Sequence, residues 1–301
     1  MCSSDLVIPS HDHADLLEHC VSSILDKTTY TNYEIIVVEN GSVGPETFDL
    51  YARLGADGRV RVVTWGPAVG EDAGFNYSRL VNFGASHTHG GLLVFLNNDT
   101  EVISPDWLEE LAAPLARPKV GVVGAELLFE DGLVQHAGML VHPNGNFGHF
   151  CQNLPGDAIS GGYMLNMPWE PSMVTGACQM FRSSLFNELG GYDEALAVGY
   201  NDGDFCLRAR EAGYTVVYTP YAKLYHREFS SRGRESTDAR LIGRLDRERA
   251  RFAEKHATLL AHGDPQSQGD PEPQHDHQLQ HDPKLNPNYD PYSIYFELRR
   301  E

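Results

Sequence analysis

Apolar and polar positions alternate in blocks along the first hundred residues, and each apolar block ends in a short polar segment. Short apolar runs predict strands at Leu6–Pro9, Tyr33–Val38, Val60–Thr64 and Leu92–Leu96. Between them, apolar residues at helical spacing predict helices over Leu16–Leu25, Pro45–Leu54 and Asn76–Ala85. Sustained alternation of strands and helices implies a mostly parallel sheet with helices on both faces.

The pattern changes after the first hundred residues. Ser104 as N-cap, Pro105 in the first turn and Asp106 predict a helix that runs to about Leu115. Further strands are predicted over Val120–Phe129, Leu133–Val141, Val174–Phe181, Thr215–Tyr218 and Ala222–His226, with short helices over Ser183–Leu189 and Asp202–Ala212. Gly-, Asn- and Pro-rich loops join the first three of these strands, so this half of the sheet is expected to be mixed or antiparallel.

Composition divides the C-terminal part of the chain into three pieces. We expect one domain over residues 1–235 and a charged C-terminal helix over 236–261. Residues 262–288 are rich in Gln, His, Asp, Pro and Gly and have almost no apolar residues, so they are predicted to be a disordered linker. Residues 289–301 are apolar enough to dock onto the domain or to engage a partner.

The charge of the chain limits its partners. A formal net charge of −19 argues against non-specific binding to nucleic acid or to an anionic membrane, because both need a basic surface. The five cysteines include no CxxC pair, which favours reduced thiols. No apolar run reaches the roughly 18 residues that span a bilayer. We therefore expect a cytoplasmic protein with at most peripheral membrane association.

Polar side chains follow three of the predicted parallel strands. These segments are Ser10–Asp12, Glu39–Ser42 and Asn97–Asp99. Because the carboxyl ends of parallel strands meet at one edge, where open α/β sheets bind ligands, the three segments should lie together. Asp99, flanked by amides, could hold a divalent cation, and Glu39 could accept hydrogen bonds from a base or ribose. The alternatives are ordinary turn residues and, for Asp12, the N-cap of the following helix.

Two further side chains are candidates for chemistry. Asp202 lies on the apolar stripe of its helix with Phe205, and a carboxylate there must be paired or line a cavity, so it is the candidate general base. Asp204 is explained by an i,i+4 ion pair with Arg208. His226 faces inward at the end of a strand, either as a hydrogen-bonded structural residue or as an additional metal ligand.

The ordered set of motifs resembles one family. The motifs are VIPSHD, YEIIVVENGS, FNYSRLVNFGA, FLNNDTEVISPDWLEEL, VQHAG, VTGACQMFR, GGYDE, YNDGDFCLRAREAGY and YTPYAKLYHRE followed by SSRG. In this order and spacing they resemble the inverting glycosyltransferases of family 2, which have the GT-A fold, over about Leu6 to Gly233. The most similar subgroup includes bacterial rhamnosyltransferase-like enzymes that build O-antigen and other surface polysaccharides.

The resemblance implies a fold and a set of roles. The fold would be a Rossmann-like, mostly parallel sheet flanked by helices, with a nucleotide-sugar-binding half over 1–100 and an acceptor half over 101–235. Asp202 would be the catalytic base, and Asp99 and His226 would hold Mg²⁺ or Mn²⁺. The donor-binding residues would be Pro9, Ser10, Asp12, Glu39, Asn76, Asn97, Asn98 and Arg232, and the acceptor-side residues Gly176, Ala177 and Asp204.

Three positions depart from the family pattern. Asn97 stands where the metal motif often has Asp, and Asn201 replaces the usual Glu before the base. Asp5 lies in the first strand where an apolar residue is expected, and the chain starts almost at that strand. These last features suggest a fragment, or an altered N-terminus, of a longer protein.

The resemblance therefore implies metal-dependent transfer of a UDP- or dTDP-linked sugar, rhamnose included, to a saccharide or lipid-linked saccharide acceptor. The main alternative is a non-catalytic nucleotide- or sugar-binding module of a larger polysaccharide-assembly protein. A nucleotidyltransferase would need a Gly-rich, basic phosphate loop, which the segment VIPSHDHADLL does not provide. A Rossmann oxidoreductase is disfavoured because no GxGxxG follows the first strand.

Overall fold

The computed structural model describes residues 3–66, 75–141, 145–156, 165–227 and 239–262. The strands are β1 Ser4–Ser10, β2 Tyr33–Glu39, β3 Val60–Thr64, β4 Leu92–Leu96, β5 Thr100–Val102, β6 Val120–Leu128, β7 Val134–His136, β8 Met139–Val141, β9 Phe147–His149, β10 Cys178–Arg182 and β11 Thr215–His226. The helices are α1 Ala14–Lys27, α2 Pro45–Leu54, α3 Tyr77–Ala85, α4 Trp107–Leu115, α5 Ser183–Glu188, α6 Asn201–Glu211, α7 Ala239–Lys255 and α8 Ala257–His262.

The described part of the chain forms a nine-stranded sheet and a separate two-stranded antiparallel sheet of β8 and β9. The strand order of the large sheet is β3-β2-β1-β4-β10-β6-β11-β5, with β7 paired to β6. Strands β1 to β4 are parallel, whereas β10 runs antiparallel to both β4 and β6 and β5 runs antiparallel to β11. The prediction of a parallel half followed by a mixed half is confirmed.

Apolar side chains fill the space on both faces of the sheet. On one face, Val94 packs with Leu17 of α1 and Leu111 of α4. On the other face, Phe95 packs with Leu80 of α3 and Phe205 of α6. Burial of alternate residues on opposite faces explains why β4 is an uninterrupted apolar run, as parallel strands inside α/β sheets usually are.

Asp5 is an acidic exception to this apolar pattern, and its carboxylate has a structural role. It is buried in β1 and accepts hydrogen bonds from the backbone N–H groups of His89 and Gly90, each at 2.7 Å. These two residues form the turn that leads into β4. The acidic residue therefore fixes this turn against the first strand, at a position where sequence reasoning expects an apolar side chain.

Helix α4 begins later than predicted. Ser104 is not its N-cap, because its hydroxyl donates to the carbonyl of Tyr221 at 2.9 Å and accepts from the N–H of Lys223 at 2.7 Å. The helix begins at Trp107 with Asp106 as the N-cap residue. The serine thus joins the α4 turn to β11, which is a tertiary contact that the local pattern does not contain.

Four strand predictions in the mixed half are wrong in their bounds. The segment Leu133–Val141 is divided into β7 and β8 by a break at Gly138, whose φ is +102°. The segment Val174–Phe181 is a loop as far as Ala177. The two strands predicted between Thr215 and His226 are one strand, with an irregularity between Thr219 and Lys223 where it pairs with β6.

The C-terminal helix predicted over 236–261 is two helices, α7 and α8, which meet at His256. None of the helices in the described ranges has the length and apolar character needed to cross a membrane. The predicted linker and terminal segment, from residue 263 onward, lie outside the described residues.

Candidate active site

A cavity of about 220 Å³ opens at the carboxyl ends of β1, β2 and β4. It is lined by Pro9, Ser10, His11, Asn40, Phe75, Tyr77, Leu80, Asn97, Asn98 and Asp99. The prediction that the three polar strand ends meet at one edge is therefore confirmed. The walls combine apolar rings with amides and one carboxylate, as small-molecule sites commonly do.

The loops that follow β1 and β2 are tied together beside this cavity. Nδ1 of His11 lies 2.8 Å from the carbonyl oxygen of Asn40. The carboxylate of Asp12 accepts hydrogen bonds from the N–H groups of Val43 and Gly44, at 2.9 and 2.8 Å. These two backbone donors lower the pKa of Asp12.

Asp12 is therefore a bridge between loops and not the N-cap of α1, which corrects one of its predicted roles. The N-cap position belongs to His13, and both residues have positive φ angles, 48° and 50°. Such angles are uncommon outside glycine, so the surrounding contacts must hold this turn in place. The turn brings Ser10 and His11 to the cavity wall.

Glu39 is buried at the end of β2, and its Oε1 accepts a hydrogen bond from the N–H of Ser42. This contact shapes the turn after β2, while the neighbouring Asn40 lines the cavity. Glu39 therefore lies next to a cavity residue but does not line the cavity, and its side chain stabilises a turn, which is the alternative role that the sequence predicts. Its nucleoside-binding role stays a prediction.

Asn97, Asp99 and His226 converge at one end of the cavity. Nε2 of His226 lies 3.2 Å from Nδ2 of Asn97 and 3.2 Å from Oδ1 of Asp99. Although Asp99 is only 6% exposed, this Oδ1 has no hydrogen-bond partner among the described residues. A buried carboxylate oxygen without a donor is costly, and it faces an imidazole nitrogen.

This arrangement fits a divalent cation. Oδ1 of Asp99 and Nε2 of His226 are an oxygen and a nitrogen ligand of types that Mg²⁺ and Mn²⁺ accept. The described residues contain no group of three or more His, Cys, Asp or Glu side chains that would hold a metal by themselves. The remaining ligands would have to come from water or from a bound phosphate group.

Asp202 lies at the first turn of α6, on the stripe of buried residues that includes Phe205 and Ala209. Its Oδ2 accepts a hydrogen bond from the N–H of Gly176 at 2.8 Å, and its Oδ1 accepts one from Gly203 at 2.7 Å. Burial raises the pKa of Asp202 against the opposing effect of these backbone donors. A carboxylate with a raised pKa is a stronger base than an exposed one.

The loop before β10 connects Asp202 to the cavity. The carbonyl of Ala177 accepts a hydrogen bond from the N–H of Asn97 at 3.0 Å. The hydroxyl of Tyr77, a wall residue, donates to the carbonyl of Gly176 at 3.3 Å. Gly176 itself donates to Asp202. The loop of Gly176 and Ala177 therefore contacts the predicted base, Asp202, on one side and Asn97 of the candidate cation site on the other.

Asn76 caps helix α3 in the structure, and its donor-binding role stays a prediction. Its side-chain oxygen caps α3 by accepting from the N–H of Arg79 at 3.0 Å, and its Nδ2 donates to the carbonyl of Glu194 at 2.8 Å. Both ends of its amide are therefore occupied away from the cavity lining. The residues on either side, Phe75 and Tyr77, do line the cavity.

Asp204 forms the i,i+4 ion pair that the sequence predicts, and its acceptor-side role stays a prediction. Its carboxylate is fully buried and pairs with Arg208 at 2.7 Å, as the i,i+4 spacing predicts, and with Lys255 and His256 at 2.7 and 3.0 Å. This cluster joins α6 to the C-terminal helices. Arg232, the remaining donor-side prediction, lies outside the described residues.

The residues at or behind the cavity that were not predicted individually as site residues include four with polar or aromatic side chains that bear on the proposals below, namely His11, Phe75, Tyr77 and Gln135. Phe75 is 41% exposed, which is unusual for a large apolar ring, but exposure is not visible in a sequence. Gln135 contacts a residue 91 positions away along the chain. Of the four, His11 had a local signal, because it lies between Ser10 and Asp12 at the end of β1.

Comparison with known families agrees with this geometry. The glycosyl transferase family 2 model matches residues 5–190, more than half of the chain. The chain belongs to glycosyl transferase family 2. The match spans the cavity and the loop at Gly176 but ends before Asp202 and His226.

Curated relatives extend the similarity beyond that range. The chain is 42% identical over 234 residues to the uncharacterized protein y4gI of Sinorhizobium fredii, covering 77% of this chain and 25% of that protein. It is 40% identical over 229 residues to the O-antigen biosynthesis protein RfbC of Myxococcus xanthus, covering 75% and 17%. The chain therefore spans a quarter or less of the length of these relatives.

A solved structure shows the fold. The chain superposes on GalNAc-T7, solved with UDP, GalNAc and Mn²⁺, with a TM-score of 0.64 at 18% sequence identity, covering 84% of this chain and 48% of that one. At this identity the likeness establishes the fold alone. The prediction of a GT-A fold is confirmed.

Proposed function

We propose that the chain is a metal-dependent inverting glycosyltransferase that transfers a sugar from a nucleotide-sugar to a saccharide acceptor. The observation that carries this proposal is the unpartnered Oδ1 of Asp99, 3.2 Å from Nε2 of His226 at the end of the cavity. An isolated carboxylate there is unfavourable, whereas a divalent cation held by Asp99 and His226 would satisfy it.

The cavity would hold the nucleoside. Phe75 and Tyr77 offer rings against which a base can pack, and Ser10 and Asn40 offer polar groups nearby. GalNAc-T7, which shares this fold, was solved with UDP and Mn²⁺. We propose that a nucleoside diphosphate binds in this cavity with its diphosphate toward Asp99. UDP- and dTDP-sugars are the proposed donors, with rhamnose a candidate sugar.

Asp202 would act as the general base. Its carboxylate takes the proton of an acceptor hydroxyl as that oxygen bonds to the anomeric carbon, and the bond from this carbon to the diphosphate breaks with its electrons on the leaving oxygen. One displacement inverts the anomeric configuration. When bound, a divalent cation supplies charge stabilisation for the leaving diphosphate. The hydrogen bond from Gly176 holds the base in position.

Replacing the base tests this assignment. Asp202→Asn should reduce sugar transfer by about 10² to 10⁴, the usual contribution of a positioned base, and leave the Kd for UDP unchanged. Asp49→Asn, an exposed aspartate on α2, is the matched control and should keep full activity. Near-normal turnover by Asp202→Asn would contradict the role. A wild-type protein that binds UDP-sugars but transfers nothing would favour a binding module.

The biological setting is also a proposal. RfbC of Myxococcus xanthus is named for O-antigen biosynthesis, so we propose a saccharide or lipid-linked saccharide acceptor in surface polysaccharide assembly. Because the chain matches only 17% to 25% of its longer relatives, other domains of a larger glycosyltransferase are proposed partners. Screening UDP-, dTDP- and GDP-sugars for thermal stabilisation in the presence of Mn²⁺ would identify the donor.

A further inference from the structure

Both ends of the side-chain amide of Gln135 contact His226, one at its backbone carbonyl and one at its imidazole. Its Nε2 donates to the backbone carbonyl of His226 at 3.2 Å, and its Oε1 lies 2.5 Å from Nδ1 of the imidazole. Both residues are buried, Gln135 at 3% and His226 at 8% exposure. Gln135 lies in β7, a strand of three residues at the side of β6.

The two contacts together determine the state of the imidazole. A carbonyl oxygen accepts only, so the amide nitrogen of Gln135 must face it and the amide oxygen must face Nδ1. Since the amide oxygen is also only an acceptor, Nδ1 must carry a hydrogen. In the neutral ring the lone pair is then on Nε2, where it accepts a hydrogen bond from Nδ2 of Asn97 at 3.2 Å and lies beside Oδ1 of Asp99.

Without the contact to Gln135, the Nε2–H tautomer of His226 would also have a hydrogen-bond partner. If the proton moved to Nε2, the ring could donate to Oδ1 of Asp99, 3.2 Å away. That hydrogen bond would satisfy the carboxylate and consume both candidate cation ligands at once. The choice between a ligand pair and an internal hydrogen bond therefore depends on the groups that face the ring, which are the amide oxygen of Gln135 at Nδ1 and the amide nitrogen of Asn97 at Nε2.

We propose that Gln135 is a positioning residue that holds His226 in the Nδ1–H tautomer and thereby keeps Nε2 available to a divalent cation beside Asp99. This inference rests on the proposed function and adds to it a residue that touches neither substrate nor metal. It also gives a chemical reason for the glutamine in the VQHAG motif, which the donor and acceptor roles leave unassigned.

Three variants separate this role from simple loss of structure. Gln135→Leu removes both contacts. Gln135→Glu keeps an oxygen to accept from Nδ1–H and should rescue the function, because carboxylates commonly support metal-binding histidines. Gln179→Leu is the matched control, since Gln179 is a fully buried glutamine of the same sheet that bonds Val174 and Tyr192. Circular dichroism first establishes that each variant folds.

The measurement is calorimetric titration of Mn²⁺ into UDP-saturated protein, without any turnover. Gln135→Leu should weaken Mn²⁺ binding by about tenfold, the lower end of what supporting residues contribute. Gln135→Glu and Gln179→Leu should stay within about threefold of wild type, since the first keeps the acceptor and the second bonds to neither Asp99 nor His226. Equal Mn²⁺ affinity of Gln135→Leu and wild type would overturn the proposal.

A second readout follows the tautomer itself in the metal-free protein. Nitrogen NMR of ¹⁵N-histidine-labelled protein distinguishes the two neutral tautomers, and the His226 signals are those missing from His226→Ala. Wild type should show Nδ1–H, and Gln135→Leu should lose it; an Nε2–H ring in wild type overturns the proposal.

If wild-type protein binds UDP equally with and without Mn²⁺, the metal half of the proposed function fails and this inference fails with it. A metal-dependent wild type with an unaffected Gln135→Leu overturns this inference alone.

Discussion

Gly176 brings the backbone of its loop close to the candidate base, and this close approach needs a residue without a side chain. A Cβ at this position would lie 3.1 Å from Cβ of Asp202 and 3.4 Å from the hydroxyl of Tyr192. The first distance is tighter than ordinary van der Waals contact, and Tyr192 is buried, so it has little room to retreat. The loop or the carboxylate must therefore shift.

We predict that Gly176→Ala slows transfer by roughly tenfold or more with a much smaller change in the Kd for UDP, because a displacement of a few tenths of an ångström at the base affects chemistry before binding. Steady-state kinetics and UDP titration measure the two effects. Gly58→Ala is the control, since nothing lies within 4 Å of its added Cβ. Equal losses in transfer and UDP binding would mean that the loop had collapsed.

Residues at the site differ in how far sequence predicts them. Asn97, Asp99 and His226 are predictable, because each ends a strand whose direction follows from the apolar pattern. Asp12 and Asn76 lie in the right loops, but both are occupied by backbone groups that only the folded chain brings near. Gln135 has no local signal, because its role depends on one imidazole far along the chain.

At the scale of elements, α7 supports the turn that carries the base. The carboxylate of Glu248, on this helix, accepts hydrogen bonds from three consecutive backbone N–H groups, those of Ala197, Val198 and Gly199, at 3.0, 3.3 and 2.7 Å. Glu248 is only 4% exposed. The turn it holds leads through Tyr200, the N-cap residue with φ +65°, directly into α6 and Asp202.

We predict that Glu248→Gln lowers the free energy of unfolding by roughly 1–3 kcal/mol, because the amide has one acceptor oxygen in place of two and carries no charge. Transfer should fall more than UDP binding, as the turn before Asp202 loosens. Urea unfolding and kinetics measure both. Glu254→Gln, an exposed position on the same helix, should change neither. A Glu248 variant as stable as wild type would contradict this supporting role.

The C-terminal helices are also joined to α6 by a buried charge cluster. Burial disfavours a charged His256, but hydrogen bonds to Asp204 at 3.0 Å and Glu211 at 3.1 Å outweigh it and raise the pKa of this ring. Burial likewise opposes ionisation of Asp204, yet His256 and Arg208 lower its pKa to about 2. The protonated ring and the carboxylate thus stabilise each other in the folded state.

The sign of the pH effect follows from the raised pKa of His256. Its contribution to stability is fully present below the ordinary histidine pKa of 6.5 and is lost as the pH rises through the higher folded-state pKa. We predict that the free energy of unfolding of wild type falls between pH 6 and pH 9. His256→Gln should be less stable at pH 6 by about 3 kcal/mol and nearly flat over this range. A wild-type curve as flat as that of the variant would contradict a charged ring.

Elements defined by the apolar pattern alone are predicted best. Helix α2 and strands β3 and β4 have the bounds that the sequence gives, because local periodicity and burial agree there. Prediction fails where a distant partner decides the local structure. Ser104 bonds to β11 and leaves the cap position to Asp106, and the break after β7 depends on a positive φ at Gly138 next to Trp169.

At the scale of the whole molecule, the site lies where the two halves of the sheet meet. Asp99 follows β4 of the parallel half, whereas His226 ends β11 of the mixed half. Asp99 lies between β4 and β5, and its carbonyl accepts a hydrogen bond from the N–H of Arg227 at 2.9 Å, which continues the antiparallel pairing of β5 with the end of β11. Neither half contains the cation ligands alone, and the described part of the chain offers only two of them.

This division predicts that nucleotide and metal bind as a pair. Each ligand completes the site of the other, so UDP should raise the affinity for Mn²⁺ and Mn²⁺ should raise the affinity for UDP by the same factor. In the presence of saturating Mn²⁺, UDP at about 100 times its Kd adds about 2.7 kcal/mol to the free energy of unfolding. For a chain of this length, that corresponds to a rise in Tm of roughly 4–5 °C. Either ligand alone should give a much smaller rise.

Asp99→Asn should lose the joint effect in differential scanning calorimetry, since the amide has no charge to offer the cation. Tight Mn²⁺ binding without UDP would contradict the pairing and would require further protein ligands at this edge of the sheet.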